Sequence, residues 1–417
     1  MPANTFDVIV LGAGIVGISA ALHLQARGRS VAVVERAGGA GRETSFGSTG
    51  IVQTEAIFPY TFPRNVGEIA SAALNRDPRA HIRYAALPAI APWVVRYFLA
   101  SSPSRKQVSA MAMRPLIGRA RAEHEKLASQ AGATTLLRGG GWIKAFRSRQ
   151  GRETVLAEAD ELARYDIPSA VLDRHALLAL EPHLSEVALG GVHFTDPPTT
   201  PDPGALVQSY AAHFEARGGR MIGGDARGLT QSCAVWSLPT AEGVISAAQA
   251  VVALGPWAND VCRPLGYRFP LGFKRGYHMH YSAAAGASLS RPVLDAELGY
   301  VLTPMSAGIR LTTGAEFARR DDPPSTAHLD RLEPFARTFF PLAARRDAQP
   351  WLGRRPCLPD MLPVIGPAPR HAGLWFDFGH QHLGLTLGPV SGRLLAEMMT
   401  GEEACVDPAP YRAGRFG

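Results

Sequence analysis

Residues 6–11 (FDVIVL) form an apolar, β-branched run that enters Gly12-Ala13-Gly14-Ile15-Val16-Gly17 without a break. A run of that kind fits a strand buried on both faces of a parallel sheet. Apolar positions Ile15, Ile18, Ala21, Leu22 and Leu24 then recur at helical spacing until Gly28, and a second run, residues 30–34, ends at Glu35. The order is strand, glycine turn, helix, strand, acid. Few arrangements other than a doubly wound parallel sheet accommodate it.

Each piece has a physical job in holding a dinucleotide. Gly12 allows a tight turn, Gly14 lets the backbone approach a pyrophosphate, and Gly17 lets the helix pack against the strand. The helix N-terminus offers free N–H groups and the positive end of its dipole to the phosphates. Glu35, 23 residues after Gly12, stands where a carboxylate accepts hydrogen bonds from ribose hydroxyls, and an acid there disfavours the extra phosphate of NADP. No second glycine fingerprint follows; Gly139-Gly140-Gly141 reads as a turn into a strand at Trp142. The four cysteines, Cys233, Cys262, Cys357 and Cys405, lie at least 29 residues apart, which excludes a C-x-x-C redox pair or a zinc knuckle. One tightly held dinucleotide without a redox cysteine pair favours FAD over NAD.

At 417 residues the chain exceeds what one core supports, so two domains are expected. Hydrophobic residues at 46% and charged residues at 19% exclude a disordered chain. The net charge of +7 is spread along the sequence and not gathered into a basic block, so no nucleic-acid partner is expected. The N-terminal stretch has no basic segment before its apolar run and reads as neither signal nor transit peptide. Residues 84–95 are apolar but broken by Pro88 and Pro92, too short to span a bilayer. The expected location is cytoplasmic, with a peripheral contact at the inner membrane left open.

Farther along, residues 154–163 and 204–217 read as helices, and 220–222 and 250–254 as strands. Strand-rich stretches at 272–281 and 299–314 point to a mostly antiparallel sheet separate from the nucleotide domain. The expected fold is α/β, a Rossmann-type domain interleaved with an α+β substrate domain. No repeat or low-complexity linker separates the two.

With these residues in place, the chain resembles the D-amino-acid oxidase superfamily of FAD-dependent oxidoreductases, most of all its bacterial D-amino-acid dehydrogenase and glycine oxidase branch. Glu35-Arg36 and the segment carrying Thr44, Ser45, Thr49, Gly50 and Ile51 are similar to the family's second flavin-contacting loop. Residues 87–102 resemble the helical insertion of the dehydrogenases, and the turn with Gly255 and Trp257 resembles the element beside the FAD phosphates and ribose. The most specific matches are Trp351-Leu352-Gly353-Arg354-Arg355-Pro356 with Asp360, Pro363 and Ile365-Gly366, and Gly379-His380-Gln381-His382-Leu383-Gly384-Leu385-Thr386, similar to a segment along the flavin pyrimidine edge.

The resemblance implies a cofactor site made of Gly12, Gly14, Ile15, Val16, Gly17, Glu35, Arg36, Thr44, Ser45, Thr49, Gly50, Ile51, Ala226, Gly255, Trp257, Gly353, Gly379, His382, Leu383, Gly384, Leu385 and Thr386. It also implies domains of 1–65, 190–265 and 350–417 for FAD and of 66–189 and 266–349 for the substrate. Sarcosine oxidases attach flavin through a cysteine where this chain has Gly353, so FAD is expected to be noncovalent. Glycine oxidase carries arginine at the His382 position and sarcosine oxidase lysine at the Thr386 position.

The implied reaction is oxidative deamination of a D-amino acid, or of a cyclic or N-substituted amino acid, by hydride transfer from the α-carbon to flavin N5, giving an imine. The alternatives are a glycine or sarcosine type oxidase using oxygen, and a flavin subunit of a larger electron-transfer complex. A quinone, another electron carrier or oxygen would take the electrons. Arg355, whose planar guanidinium can hold a carboxylate through two parallel hydrogen bonds, is the candidate clamp, competing with a bracing ion pair to Asp360. Tyr300 matches the glycine-oxidase tyrosine that contacts the same carboxylate, competing with a tyrosine packed in the sheet. His382 completes the catalytic candidates. His278-x-His280 and His380-x-His382 could each offer two ligands on one strand face, but nothing nearby supplies a third, so no metal is expected. Hydrolase and kinase motifs are absent.

Overall fold

The structure is a computed structural model that describes residues 4–416. Residues 1–3, at the head of the N-terminal stretch read above, and residue 417 lie outside the described residues.

Thr5–Leu11 is the centre of the first sheet, flanked by Val31–Glu35 and Gly243–Val252, both parallel to it. Arg220–Gly223 extends the sheet on one side and Leu374–Phe378 on the other, again parallel, with Val364–Pro367 added antiparallel at the edge. Parallel neighbours need long crossovers, and those crossovers interleave the two halves of the molecule. The apolar runs read as continuous because both faces are covered. Helices Ile15–Gln25, Pro203–Ala216 and Gly384–Thr400 pack on one face, and Trp236, Leu238, Tyr267 and Phe269 fill the other.

The second sheet has eleven strands and is mostly antiparallel, as expected. Its spine is the long strand Gly272–Ala283, which pairs antiparallel with Trp351–Cys357 along one edge and with Gly308–Thr312 along the other. Side chains alternate across this strand. Met279 and Tyr281 enter a core beneath helix Ala327–Phe339, whereas Lys274, Gly276 and His278 face a cleft between the two sheets. Two strands within the segments assigned above to the FAD domain, Gly190–Phe194 and Trp351–Cys357, hydrogen-bond into this second sheet. A strand belongs with the ladder it completes, and alternation of apolar residues in the sequence does not say which ladder that is.

Candidate active site

One cleft of about 1190 Å³ runs from the N-terminus of helix Ile15–Gln25 to the face of the second sheet. At its first end, Gly12 adopts φ +101°, and a Cβ there would lie 2.8 Å from the Ala253 carbonyl oxygen. Gly17 is tighter still: a Cβ would sit 1.9 Å from the Gly12 carbonyl oxygen, so only glycine lets the helix seat on the turn. Gly14 differs, because a Cβ there would point into the cleft with Ser45 Oγ as its nearest neighbour at 3.3 Å. The helix has no acidic residue in its first turn, and its N-cap, Gly14, has no side chain to give. Ser45 accepts the Ile15 N–H at 3.0 Å. Glu35 ties the turn to the second strand by accepting from the backbone N–H groups of Ala13 and Ala37, each at 2.8 Å. The guanidinium of Arg36 lies 4.4 Å from the centre of the Trp257 ring, fixing the rim opposite.

At the other end, strand register sets the geometry. Lys274 is paired with Arg355, Gly276 with Gly353 and His278 with Trp351, so all six share the cleft-facing side of two adjacent strands. Two of these pairs build the floor: the Trp351 ring stacks on His278 at 4.9 Å, and the missing side chains at Gly276 and Gly353 let the Arg355 guanidinium and the Trp351 ring lie over the strands, since a Cβ would come within 2.5 Å of Arg355 Nη2 and 2.7 Å of the Trp351 ring. Arg355 donates to the carbonyls of Gly314 at 2.9 Å and Thr313 at 3.2 Å. The alternative partner, Asp360, is instead bound to Arg415 at 2.8 Å. Lys274 donates to the Tyr97 hydroxyl at 2.7 Å, with its ammonium 4.1 Å from that ring's centre.

Burial and the two cations control the titrating groups. Lys274 is pushed down to about 8 by burial, then by Arg355. Arg355 is lowered from its ordinary value by burial. His382 falls to about 3, through burial first and then Arg355 and Lys274, so its imidazole is neutral at physiological pH. Burial likewise takes His278 to about 2. His380 Nε2 lies 3.3 Å from an oxygen of fully buried Asp377, whose carboxyl is raised by burial.

Not every residue singled out in the sequence reaches the cleft. Ile15, Val16, Thr44, Ser45, Thr49, Ile51, Ala226, Gly255, Gly384 and Leu385 line it along with those above. Gly17, Gly50, Gly379, Leu383 and Thr386 stand behind that wall; Thr386 accepts the Gln53 N–H at 3.0 Å. Tyr300 does not fit the expectation of a carboxylate contact. Its neighbours Gly299 and Val301 line the cleft, but alternation turns the Tyr300 ring to the opposite face, where it is fully buried and its hydroxyl accepts from Arg147 Nη2 at 2.7 Å. The sequence reading missed Lys274, Tyr97, Tyr60 and Phe62. A lysine in an apolar strand, one of four in the chain, was the available signal for the first; the aromatics carried none.

The residues present fit FAD. Trp142, His278, Thr312 and His382 all line the cleft, and each has a buried side-chain N or O atom without a hydrogen-bond partner. Buried polar atoms are ordinarily paired, so a polar ligand is the expected source of partners. The cleft also exceeds the roughly 300–1,000 Å³ typical of small-ligand pockets, as a dinucleotide plus substrate requires. Among the described residues no group of three or more His, Cys, Asp or Glu gathers as a metal site, and no helix is long and apolar enough to cross a membrane.

Residues 7–398 match the family model described as FAD dependent oxidoreductase. The chain is 30% identical to a D-amino acid dehydrogenase of Rhizobium johnstonii, over 98% of this chain and 100% of that one. It is 29% identical to a D-amino-acid oxidase of Bradyrhizobium diazoefficiens, over 98% of each chain. Among solved structures, glycine oxidase from Geobacillus kaustophilus shares the fold with a TM-score of 0.75 at 21% identity, covering 99% of both chains.

Proposed function

We propose, from the premise that this chain belongs to the FAD dependent oxidoreductase family, that it oxidises the α-carbon of a D-amino acid, or of a cyclic or N-substituted amino acid, to an imine that water then hydrolyses. The observation that carries this reading is Arg355: a guanidinium lining an enclosed cleft, bonded only to carbonyls and with no carboxylate partner among the described residues. A planar fork with donors to spare is suited to a substrate carboxylate. FAD, when bound, supplies the two-electron acceptor for the substrate carbon. Gly12, Gly14, Glu35 and the first helix would hold its dinucleotide part, and Gly353, Gly384 and His382 its ring end, noncovalently.

The chain's own residues position the substrate and exclude water. Arg355 fixes the carboxylate, so the α-carbon has one orientation instead of many, a gain that proximity alone converts into rate. Tyr97, Phe62 and Phe317 form an apolar wall around it. The proton released from the amine goes to solvent, since His382, with its pKa near 3, is too weak a base to take it from an ammonium.

The acceptor proposed is a quinone or another carrier, with the protein in the cytoplasm and touching the inner membrane peripherally. Val95, Leu99, Val108 and Met111, each half exposed or more, support this together with exposed Arg96 and Arg105 on the same two helices, Leu87–Ala100 and Pro103–Gln130. Oxygen consumption matching quinone reduction in rate would instead make the enzyme an oxidase.

Arg355→Ala tests the main reading. It should retain FAD while slowing flavin reduction and weakening amino-acid binding together, and Arg355→Lys should recover only part, since an ammonium lacks the fork. Wild-type reduction kinetics in the alanine variant would remove Arg355 from the role.

A further inference from the structure

We propose that the substrate carries a second carboxylate and that Lys274 selects it, so that the preferred substrates are amino acids with acidic side chains. This rests on the reading of Arg355 as the partner of the α-carboxylate. The two cations stand directly opposite each other on antiparallel strands and leave the same face. Opposed residues in such a pair have Cβ atoms about 4.5–5.5 Å apart, so two like charges enter the cleft from neighbouring positions, the Arg355 guanidinium crossing Gly276 to the Gly314 carbonyl and the Lys274 ammonium reaching Tyr97. Arg355 disfavours the charge on Lys274, and both residues are half-buried and line the cleft.

No carboxylate lies within 4.0 Å of either group among the described residues. The contrast within the chain is instructive: Lys106 is paired with Glu161 and Lys144 with Glu158, and Lys126 is exposed. Lys274 alone among the four lysines has only a phenol hydroxyl and a ring face. Carbonyls, a phenol and a π-face satisfy donors but bring no negative charge. One carboxylate on the Arg355 fork uses one of the two positive charges. The second remains beside aromatic walls, where an uncompensated ammonium is costly, and an acidic substrate side chain would bring the missing anion.

The test is anaerobic flavin reduction by the holoenzyme, with D-glutamate and D-aspartate measured against their amides D-glutamine and D-asparagine. The wild type should favour at least one acid over its amide by roughly 10- to 100-fold in the apparent second-order constant, the range of a buried charge-assisted hydrogen bond. Lys274→Met should erase that ratio, bringing acid and amide to the same rate, and Lys274→Arg should keep most of it. Binding of glutarate against butyrate, followed by calorimetry on the wild-type holoenzyme, gives the same comparison without turnover or mutation. A wild type that uses acid and amide alike, or a Lys274→Met that lowers both equally, would overturn the proposal; the second result would put both cations on one carboxylate. Reduction by neutral amino acids but not by either acid also defeats it, yet leaves the oxidative reading standing. Only a flavin that no amino acid reduces would remove that reading itself.

Discussion

Adding one methyl group at Gly14 and one at Gly17 should separate cofactor binding from folding. At Gly17 the new Cβ would lie 1.9 Å from the Gly12 carbonyl oxygen, a backbone atom in a turn already tied by the Gly12 N–H to Val34 O at 2.8 Å. Relief requires the helix to lift by about 1 Å from a buried contact, at the upper end of the roughly 1–3 kcal/mol typical of overpacking. With about 2.1 cal/mol/K of unfolding entropy per residue, a chain of this length has ~0.9 kcal/mol/K, so ~3 kcal/mol lowers Tm by roughly 3 °C. At Gly14 the backbone has φ −71° and ψ 175°, which alanine adopts without strain, and the methyl meets only Ser45 Oγ at 3.3 Å. The smaller unfolded-state entropy of alanine, about 0.4–1 kcal/mol, offsets its poorer capping, so Tm of the cofactor-free protein should stay within about 1 °C. FAD should nevertheless bind roughly 5- to 150-fold more weakly, because the methyl takes space in the cleft where a phosphate must approach. Thermal unfolding of the FAD-free proteins and quenching of FAD fluorescence on titration read the two effects independently. Wild-type FAD affinity in Gly14→Ala, or an undiminished Tm in Gly17→Ala, would refute the reasoning.

Two further outcomes follow from the site. Tyr300→Phe should leave amino-acid KM unchanged and cost on the order of 1 kcal/mol of stability by removing one of the two hydrogen bonds of Arg147 Nη2, which keeps the Phe335 carbonyl, whereas a raised KM in steady-state assays would return Tyr300 to the substrate. The apparent second-order constant for flavin reduction should rise with pH towards the substrate amine's own pKa, because the lone pair must be free and His382 is already neutral. A limb near 6.5 that persists when the substrate changes and vanishes in a His382 variant would restore a histidine base.

What the sequence revealed depended on how local the signal was. The strand, turn, helix, strand and acid at residues 6–35 are consecutive, and Gly12 and Gly17 there answer close contacts within the same unit or with Ala253. The pairing of Lys274 with Arg355 joins residues 81 positions apart, and only the register of two strands brings them together. Tyr300 shows the opposite limit. The motif around it was recognisable, but whether Tyr300 or its neighbour Val301 faces the cleft depends on a single-residue phase that the segment does not contain. His382 was legible as a cleft residue; its depressed pKa was not, because it comes from the fold's placement of two distant cations beside it.

On the proposed function, the cleft joins FAD to an amino acid held by Arg355. Anaerobic mixing of the FAD-loaded protein with D-amino acids, followed through the oxidised-flavin absorption band, tests it most directly. The wild type should bleach, with release of an oxo acid and ammonia, and Arg355→Ala should bleach far more slowly at unchanged FAD content. A flavin that stays oxidised with every D-, cyclic and N-substituted amino acid tried would contradict it.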